Sequence, residues 1–520
     1  MAFRLDLRLG IDVGGTHTDA VILDRENTVV AKTKQPTSQD VTSGVRNAIA
    51  AVISQPAVQT SRISHVMLGT THATNAVLER RRLHTVAVLR VGAPSSLAVR
   101  PLFGWPEDLV AAVGGYAEIV SGGFEYDGRE IVPFDAEATR EFFLSVKGKV
   151  DAVAISAVFS PMSADHELAA ASIARDVLGP DLIISLSHEI GSLGLLPREN
   201  ATVLNAALTG VAREVALALT TSLDEHGIQA SVLFAQNDGT LMALEYAVRF
   251  PILTIGSGPA NSIRGAAFLT GLTDALVADV GGTSTDFGML VNGFPRESAA
   301  NVDIGGVSTN FRMPDVLAIA LGGGTVIRET EAGVAIGPDS VGYRLSQDGL
   351  SFGGAIPTMT DAAVFGGRAQ IGDTAIPAEH GAGLTAALGL ADQLMAEAVD
   401  RMKLGKGDIP MVVVGGGSVL IPDSLPGISK VLRPDHFDVA NAIGAAIAQI
   451  SGRWDEVVSL ALGRAEAIEA ASAQAVARAI QAGADPECIE IVEIDEIPLA
   501  YLTEPVARIS VKAVGPLGRL

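Results

Sequence analysis

The chain has 520 residues, more than one hydrophobic core sustains, so at least two packed lobes are expected. Its 37 lysines and arginines stand against 59 aspartates and glutamates, and the resulting net charge of −22 excludes the basic footprint of a nucleic-acid or anionic-membrane binder. A single cysteine, Cys488, excludes an intramolecular disulfide and an all-cysteine metal site, and it suits a reducing cytoplasm.

From the N-terminus, the chain enters a strand pattern at once, with Asp6 and Arg8 interrupting any apolar run of the signal-peptide kind. RLGIDVGG and DAVILD read as strands, SGVRNAIAAVISQ as a helix, and HVMLGTT, HTVAVLRV, KVDAVAISAVF and DLIISLS as further strands. A long helical pattern with Pro197 near its start opens a second lobe, which continues through SVLFAQND, ALVADVGG and FGMLVNG. LTAALGLADQLMAEAVDRMKL is a helix, PMVVVGGGS a buried strand running into a glycine turn, and DVANAIGAAIAQI a small-residue helix suited to close packing. From about Trp454 to Gly483 the pattern is alanine-rich helix, followed by two alternating strands. The expected division is an N-terminal lobe over 1–187, a second lobe over 188–450, and a C-terminal helix and hairpin over 451–520. No charge-free run of 18 or more apolar residues stands out, so a soluble α/β protein is expected.

The most informative feature is a repeat. Asp12-Val13-Gly14-Gly15-Thr16-His17-Thr18-Asp19 returns 267 residues later as Asp279-Val280-Gly281-Gly282-Thr283-Ser284-Thr285-Asp286, identical at seven of eight positions. Apolar residues flank each copy on both sides, so each reads as a hairpin with a glycine-threonine turn. Adjacent glycines let backbone N–H groups approach phosphate oxygens, and threonine or serine hydroxyls add donors without charge. Asp12 and Asp279, at the strand ends, are placed to hold a hydrated Mg²⁺ beside a polyphosphate or to orient a water. The plainer alternative is a pair of tight hairpins whose aspartates only bond turn amides.

Gly415-Gly416-Gly417-Ser418 is a third turn, suited to an adenine and ribose lying on backbone, while Leu321 to Thr325 is a fourth without an assigned role. Thr70, Thr71, His72 and Asn75 fall where a strand ends and a helix begins, and could hold a substrate carbonyl; an ordinary threonine cap is the alternative. Asp361 reads first as a helix cap, and the Glu79 to Arg82 run as a solvated helix end. There is no GxxxxGK[ST] loop, GxSxG elbow, HExxH or strand-linked GxGxxG, so any phosphate machinery is of another type.

Taken together, the paired DVGGT hairpins, the GGGS turn and the helix after it resemble the superfamily of actin, sugar kinases and heat-shock chaperone ATPases. LGIDVGGTHTDAVILD, LGTTHATNAVLER, GSGPANSIRGAA, ADVGGTSTDFGML, PTMTDAAVFGGR and the tail IPLAYL are similar, in order, to the hydantoinase A and 5-oxoprolinase family. The resemblance implies two duplicated ribonuclease H-like lobes with a nucleotide cleft between them, the actin-like ATPase fold. It also implies ATP-dependent opening of a cyclic amide such as a hydantoin, 5-oxoproline or a related lactam. In that chemistry phosphoryl transfer to the amide oxygen lets water attack a ring that otherwise recloses. By the matched motifs, Asp12, Gly14, Gly15, Thr16, Asp279, Gly281, Gly282 and Thr283 would bind phosphates and Mg²⁺. Gly415 to Ser418 would hold the adenosine, and His17 would donate a hydrogen bond or merely cap its turn.

A hydantoinase B-type partner subunit and an oligomer are expected by the same resemblance, in the cytoplasm, with no nucleic acid or membrane involved. Longer relatives carry a further C-terminal domain. Where they have a GPxSAGxxPGP stretch, this chain reads Gly337 to Arg344 with a changed end, which predicts a different substrate. A small-molecule kinase of the sugar-kinase type and a regulatory ATPase switch remain open alternatives.

Overall fold

The computed structural model describes residues 7–36, 41–191, 193–298, 302–311, 313–331, 333–461, 463–499 and 505–518. Strands β1 (Leu7–Val13), β2 (His17–Leu23) and β3 (Val29–Pro36) run antiparallel in succession. After helix α1 (Val41–Ile53), β4 (Ile63–Thr70) returns parallel to β1 and feeds helix α2 (His72–Glu79). Leu9, Ile11 and Val13 are all buried, together with Gly10 and Asp12 between them, because both faces of this sheet are covered.

Strands β5 (Val86–Ala93), β6 (Tyr116–Ser121), β7 (Ala152–Ala157) and β8 (Ile183–Leu186) form a separate parallel sheet in the order β6-β5-β7-β8. Helix α3 (Leu195–Glu225) then leads back to the first sheet, where β9 (Ser231–Ala235) lies parallel to β4 and β10 (Leu241–Ala243) follows. α3 is long and apolar enough to cross a membrane by length and composition. Most of its apolar window is buried inside the protein, against β7, β8 and α1.

The second large sheet begins after helix α4 (Ser257–Thr270). Strands β11 (Ala275–Val280) and β12 (Thr285–Val291) form the second hairpin, and β13 (Phe294–Pro295) and β14 (Val316–Ile319) both pair with β12. Strands β15 (Ile409–Val414) and β16 (Ile428–Leu432) then add on parallel to β11. Both sheets thus have the same skeleton: an antiparallel three-strand run, then two parallel strands on the far side of the first. In both, the register puts the two aspartates of the hairpin opposite one another, Asp12 with Asp19 and Asp279 with Asp286.

Helix α5 (Ala440–Ile447) follows. Then β17 (Ile450–Ser459), helix α6 (Arg464–Gln481), β18 (Glu490–Pro498) and β19 (Val506–Gly515) extend the first sheet to nine strands, ordered β18-β19-β17-β10-β9-β4-β1-β2-β3. Strand pairing therefore crosses the linear boundaries read at 187 and 450: β9, β10 and the C-terminal strands all belong with β1. Trp454 to Ser459, which carry a helical pattern, are strand, because pairing with β19 along the whole of β17 outweighs a weak local preference. Residues 500–502 of the IPLAYL tail lie outside the described residues.

Helices α4 and α5 cross back to back between the sheets. Ile263 and Ala266 of α4 pack with Val277, Leu290 and Val412 of the second sheet, whereas Ala442, Ile443 and Ala446 of α5 pack with Val21 and Leu23 of the first. Two glycines make the crossing close. A Cβ on Gly265 would stand 2.0 Å from the Ala440 carbonyl oxygen, and one on Gly444 1.9 Å from that of Asn261.

Candidate nucleotide site between the lobes

Both hairpins close in the same way. Gly14 donates its N–H to the His17 carbonyl at 3.0 Å, and Gly281 donates to that of Ser284 at 2.9 Å. These bonds leave the amides of Gly15, Thr16, Gly282 and Thr283 without an acceptor among the described residues. The tips meet, since a Cβ at Gly282 would lie 3.3 Å from Thr16 Cγ2. Uncommitted N–H groups from two facing turns make a concavity that favours an anion.

Four carboxylates stand behind the tips. Asp12 is 4% exposed, and burial pushes its carboxyl up to about 6 even though two amides donate to it, Asn261 Nδ2 to Oδ1 at 3.3 Å and Asn441 Nδ2 to Oδ2 at 3.4 Å. The same Asn441 nitrogen reaches Asp279 Oδ2 at 3.3 Å, so one side chain of α5 spans the aspartates of both lobes. Asp279 is also raised by burial, against the hydrogen bond that Ser262 Oγ donates to it at 2.5 Å. Burial carries Asp19 to about 7 despite its ion pair with Lys34 at 2.8 Å, and carries Asp286 to about 7 with Asp279 adding to the effect.

Among the described residues no three His, Cys, Asp or Glu side chains converge on one metal position. The donor set nevertheless suits Mg²⁺, which usually takes one or two carboxylates and completes its octahedron with water and phosphate oxygens. The buried Asn261 Oδ1, with no hydrogen-bond partner, is a further acceptor beside Asp12.

The third glycine turn lies against the second hairpin. Gly417 donates to the Val280 carbonyl at 2.7 Å, and Gly415, at φ +84°, would place a Cβ 2.4 Å from Asp279 Oδ1, so only glycine fits there. Ser418 is buried and starts a short 3₁₀ turn. The fourth turn, which carries no motif signal of its own, braces the second tip from behind, because Gly323 and Gly324 donate to the carbonyls of Gly281 and Gly282 at 3.0 and 2.7 Å.

Other residues singled out in the sequence separate by side chain. Thr18 and Thr285 are fully buried, and the Thr285 hydroxyl is committed to the Leu321 carbonyl at 2.5 Å, so it struts the tip instead of facing the cleft. His17 is held neutral, down to about 4 by burial and the nearby Lys34, with Nδ1 3.2 Å from Thr16 Oγ1. Thr71 joins the first hairpin, its hydroxyl donating to the Val13 carbonyl at 3.1 Å. Thr70 and His72 instead line a small cavity with Val211, Val215 and Phe234, where burial lowers His72 to about 4. Asn75 lies a turn further along α2, its N–H donating to the Thr71 carbonyl at 2.9 Å. Asp361 accepts from both the N–H and hydroxyl of Ser351 and of Thr358, which makes it a cap. Lys34 carries no motif signal; Asn261 and Ser262 lie within GSGPANSIRGAA and Asn441 on the small-residue helix α5, but nothing in those segments assigned them to the aspartates.

The raised Asp286 carboxyl has a measurable consequence. A carboxyl that folding raises takes up protons on folding, so its contribution is favourable below the ordinary value of 3.8 and is lost as pH rises through about 7. Asp286→Asn, neutral throughout, is expected to raise the Tm of metal-free protein by several degrees at pH 8. The gain should vanish near about pH 4; a difference independent of pH, followed by scanning calorimetry, would contradict it.

Two ribonuclease H-like sheets, each presenting a glycine-threonine hairpin to the other, define the actin-like ATPase fold. The chain belongs to the hydantoinase/oxoprolinase family: the hydantoinase/oxoprolinase N-terminal region matches residues 8–178 and hydantoinase/oxoprolinase itself residues 198–382. It is 28% identical to the caprolactamase subunit alpha of Pseudomonas jessenii over 68% of this chain and 53% of that one. It is 27% identical to the acetophenone carboxylase gamma subunit of Aromatoleum aromaticum over 68% and 52%. The chain thus spans about half the length of these curated relatives. Among solved structures, the ATP-dependent caprolactamase of Pseudomonas jessenii superposes with a TM-score of 0.76 at 20% identity, covering 98% of this chain and 88% of that one. A nucleotide-free acetone carboxylase gives 0.73 at 15% identity with the same coverage.

Proposed function

We propose that the protein hydrolyses a cyclic amide at the expense of ATP, giving the ring-opened amino acid, ADP and phosphate. The supporting observation is the meeting of Thr16 and Gly282, which brings together two hairpin tips that carry four uncommitted amides in a member of this family. Those amides would hold the phosphate chain, Gly415 to Gly417 the nucleoside, and Asp12 and Asp279 a hydrated Mg²⁺. The ion would supply neutralisation of polyphosphate charge, which buried carboxylates otherwise repel. Asn441 fixes both aspartates from a third element, and Thr71, whose N–H and hydroxyl both donate to the Val13 carbonyl, ties the start of α2 to the first tip. Activation places the terminal phosphoryl group on the amide oxygen, after which water breaks the ring C–N bond. We also propose cytoplasmic work with a hydantoinase B-type subunit.

The test is ADP release by the purified chain, alone and with any subunit that co-purifies, over a panel of hydantoins, 5-oxoproline and lactams with Mg-ATP. At least one ring should stimulate release and appear as its opened product by mass spectrometry. A stable phosphorylated product would identify a kinase, and release indifferent to every ring would sink the proposal.

A further inference from the structure

The internal repeat is broken at one position that matters for charge. On the third strand of the first sheet Lys34 stands opposite Asp19, whereas the matching place in the second sheet has Ala318 opposite Asp286. Lys34 Nζ donates to both carboxylate oxygens of Asp19 at 2.8 Å and to the Asp438 carbonyl at 3.0 Å. A lysine serving only to neutralise a buried aspartate would explain that geometry. The second lobe argues otherwise: Asp286 occupies the same register and has no ion-pair partner among the described residues. The fold therefore tolerates an aspartate there without a cation.

The stem of the lysine gives an independent indication. Its Cε lies 3.7 Å from where a Cβ on Gly416 would stand, so the side chain runs from the first hairpin to the glycine turn of the opposite lobe. It keeps 30% of its side-chain surface exposed at that crossing. An ammonium between a phosphate-type turn and a nucleoside-type turn lies along the path a phosphate chain must take.

We propose that Lys34 is the cation of the nucleotide site. Its ammonium takes the charge of the phosphate chain that the hairpin amides hold. A phosphate oxygen replaces the uncharged Asp438 carbonyl, while Asp19 keeps the side chain aimed. The exchange is favourable because a bond to a charged acceptor is roughly twice as strong as one to a neutral carbonyl. The inference rests on reading the cleft as a nucleotide site, and the experiment separates the two.

Calorimetric titration of adenosine and of ADP with magnesium into wild type, Lys34→Met, Lys34→Arg and the double variant Asp19→Asn/Lys34→Met tests it. Wild type should bind ADP. Lys34→Met should lose about 10- to 100-fold in ADP affinity, the worth of a hydrogen bond to a charged group, with adenosine affinity unchanged. Lys34→Arg should keep most of it. The double variant, which leaves no unpaired carboxylate and so serves if the single variant does not fold, should show the same loss. Recovery of ADP binding in the double variant would mean that Lys34 only neutralises Asp19, and equal losses for ADP and adenosine would mean that it only supports the fold. Either overturns the proposal, whereas a wild type that binds neither ligand overturns the nucleotide site as well.

Discussion

Asp12→Asn and Asp279→Asn should each lower ATP turnover by roughly 10² to 10⁴, the usual cost of removing a positioned acid-base or metal-holding group. Stability should hardly change, for two opposed reasons. Asparagine offers only one acceptor oxygen, so at position 12 its NH₂ would face the amide of Asn261 or Asn441, an unmade hydrogen bond costing about 1 to 3 kcal/mol. Against that, both carboxyls are raised by burial, so the neutral side chain removes an unfavourable charge at neutral pH. Steady-state ADP release alongside thermal melts checks both halves. Near wild-type turnover in both variants would reduce the hairpin carboxylates to structural groups.

Gly444→Ala should have the largest effect on the fold. Helix propensity alone predicts the opposite, since alanine in a helix interior is favoured over glycine by roughly 1 kcal/mol. The added Cβ would stand 1.9 Å from the Asn261 carbonyl oxygen, a backbone atom that can move only with the whole of α4. Overpacking of this kind costs about 1 to 3 kcal/mol or more, so the contact outweighs the propensity. Separating α4 from α5 also pulls Asn261 and Ser262 away from Asn441, which unsettles the donors of Asp12 and Asp279 together. A fall in Tm of about 5 °C or more, with a loss of ADP affinity, is expected. Gly389→Ala, where the added Cβ meets nothing, should do neither.

How much of this was legible in the sequence follows from the kind of constraint each residue obeys. The hairpins were readable because glycine, threonine and aspartate fall at adjacent positions in each tip, and duplication printed the pattern twice. Lys34 was not, because a lysine on an edge-side strand looks like any solvated one until its partner Asp438, 404 residues away, is known. Asn261 and Asn441 sit on helices whose small residues announce close packing but not which neighbour they meet. Leu321 to Thr325 read as a turn without purpose because its purpose is to brace another turn. Trp454 to Ser459 misled for a related reason: the strand that commits them, β19, comes last in the chain.

The closing of the first sheet by the last strands carries a consequence for biosynthesis. β10 emerges from the ribosome with its β9 edge paired and its other edge bare, and its next neighbour begins only at Ile450. At ordinary translation speeds that interval, from Leu241 to Ile450, lasts roughly 10 to 40 s. Throughout it the nascent chain presents an open strand edge beside Leu233, Ala235 and Leu241, apolar residues that the C-terminal module buries in the finished protein. The first sheet is thus begun before the second is made and is completed only after it.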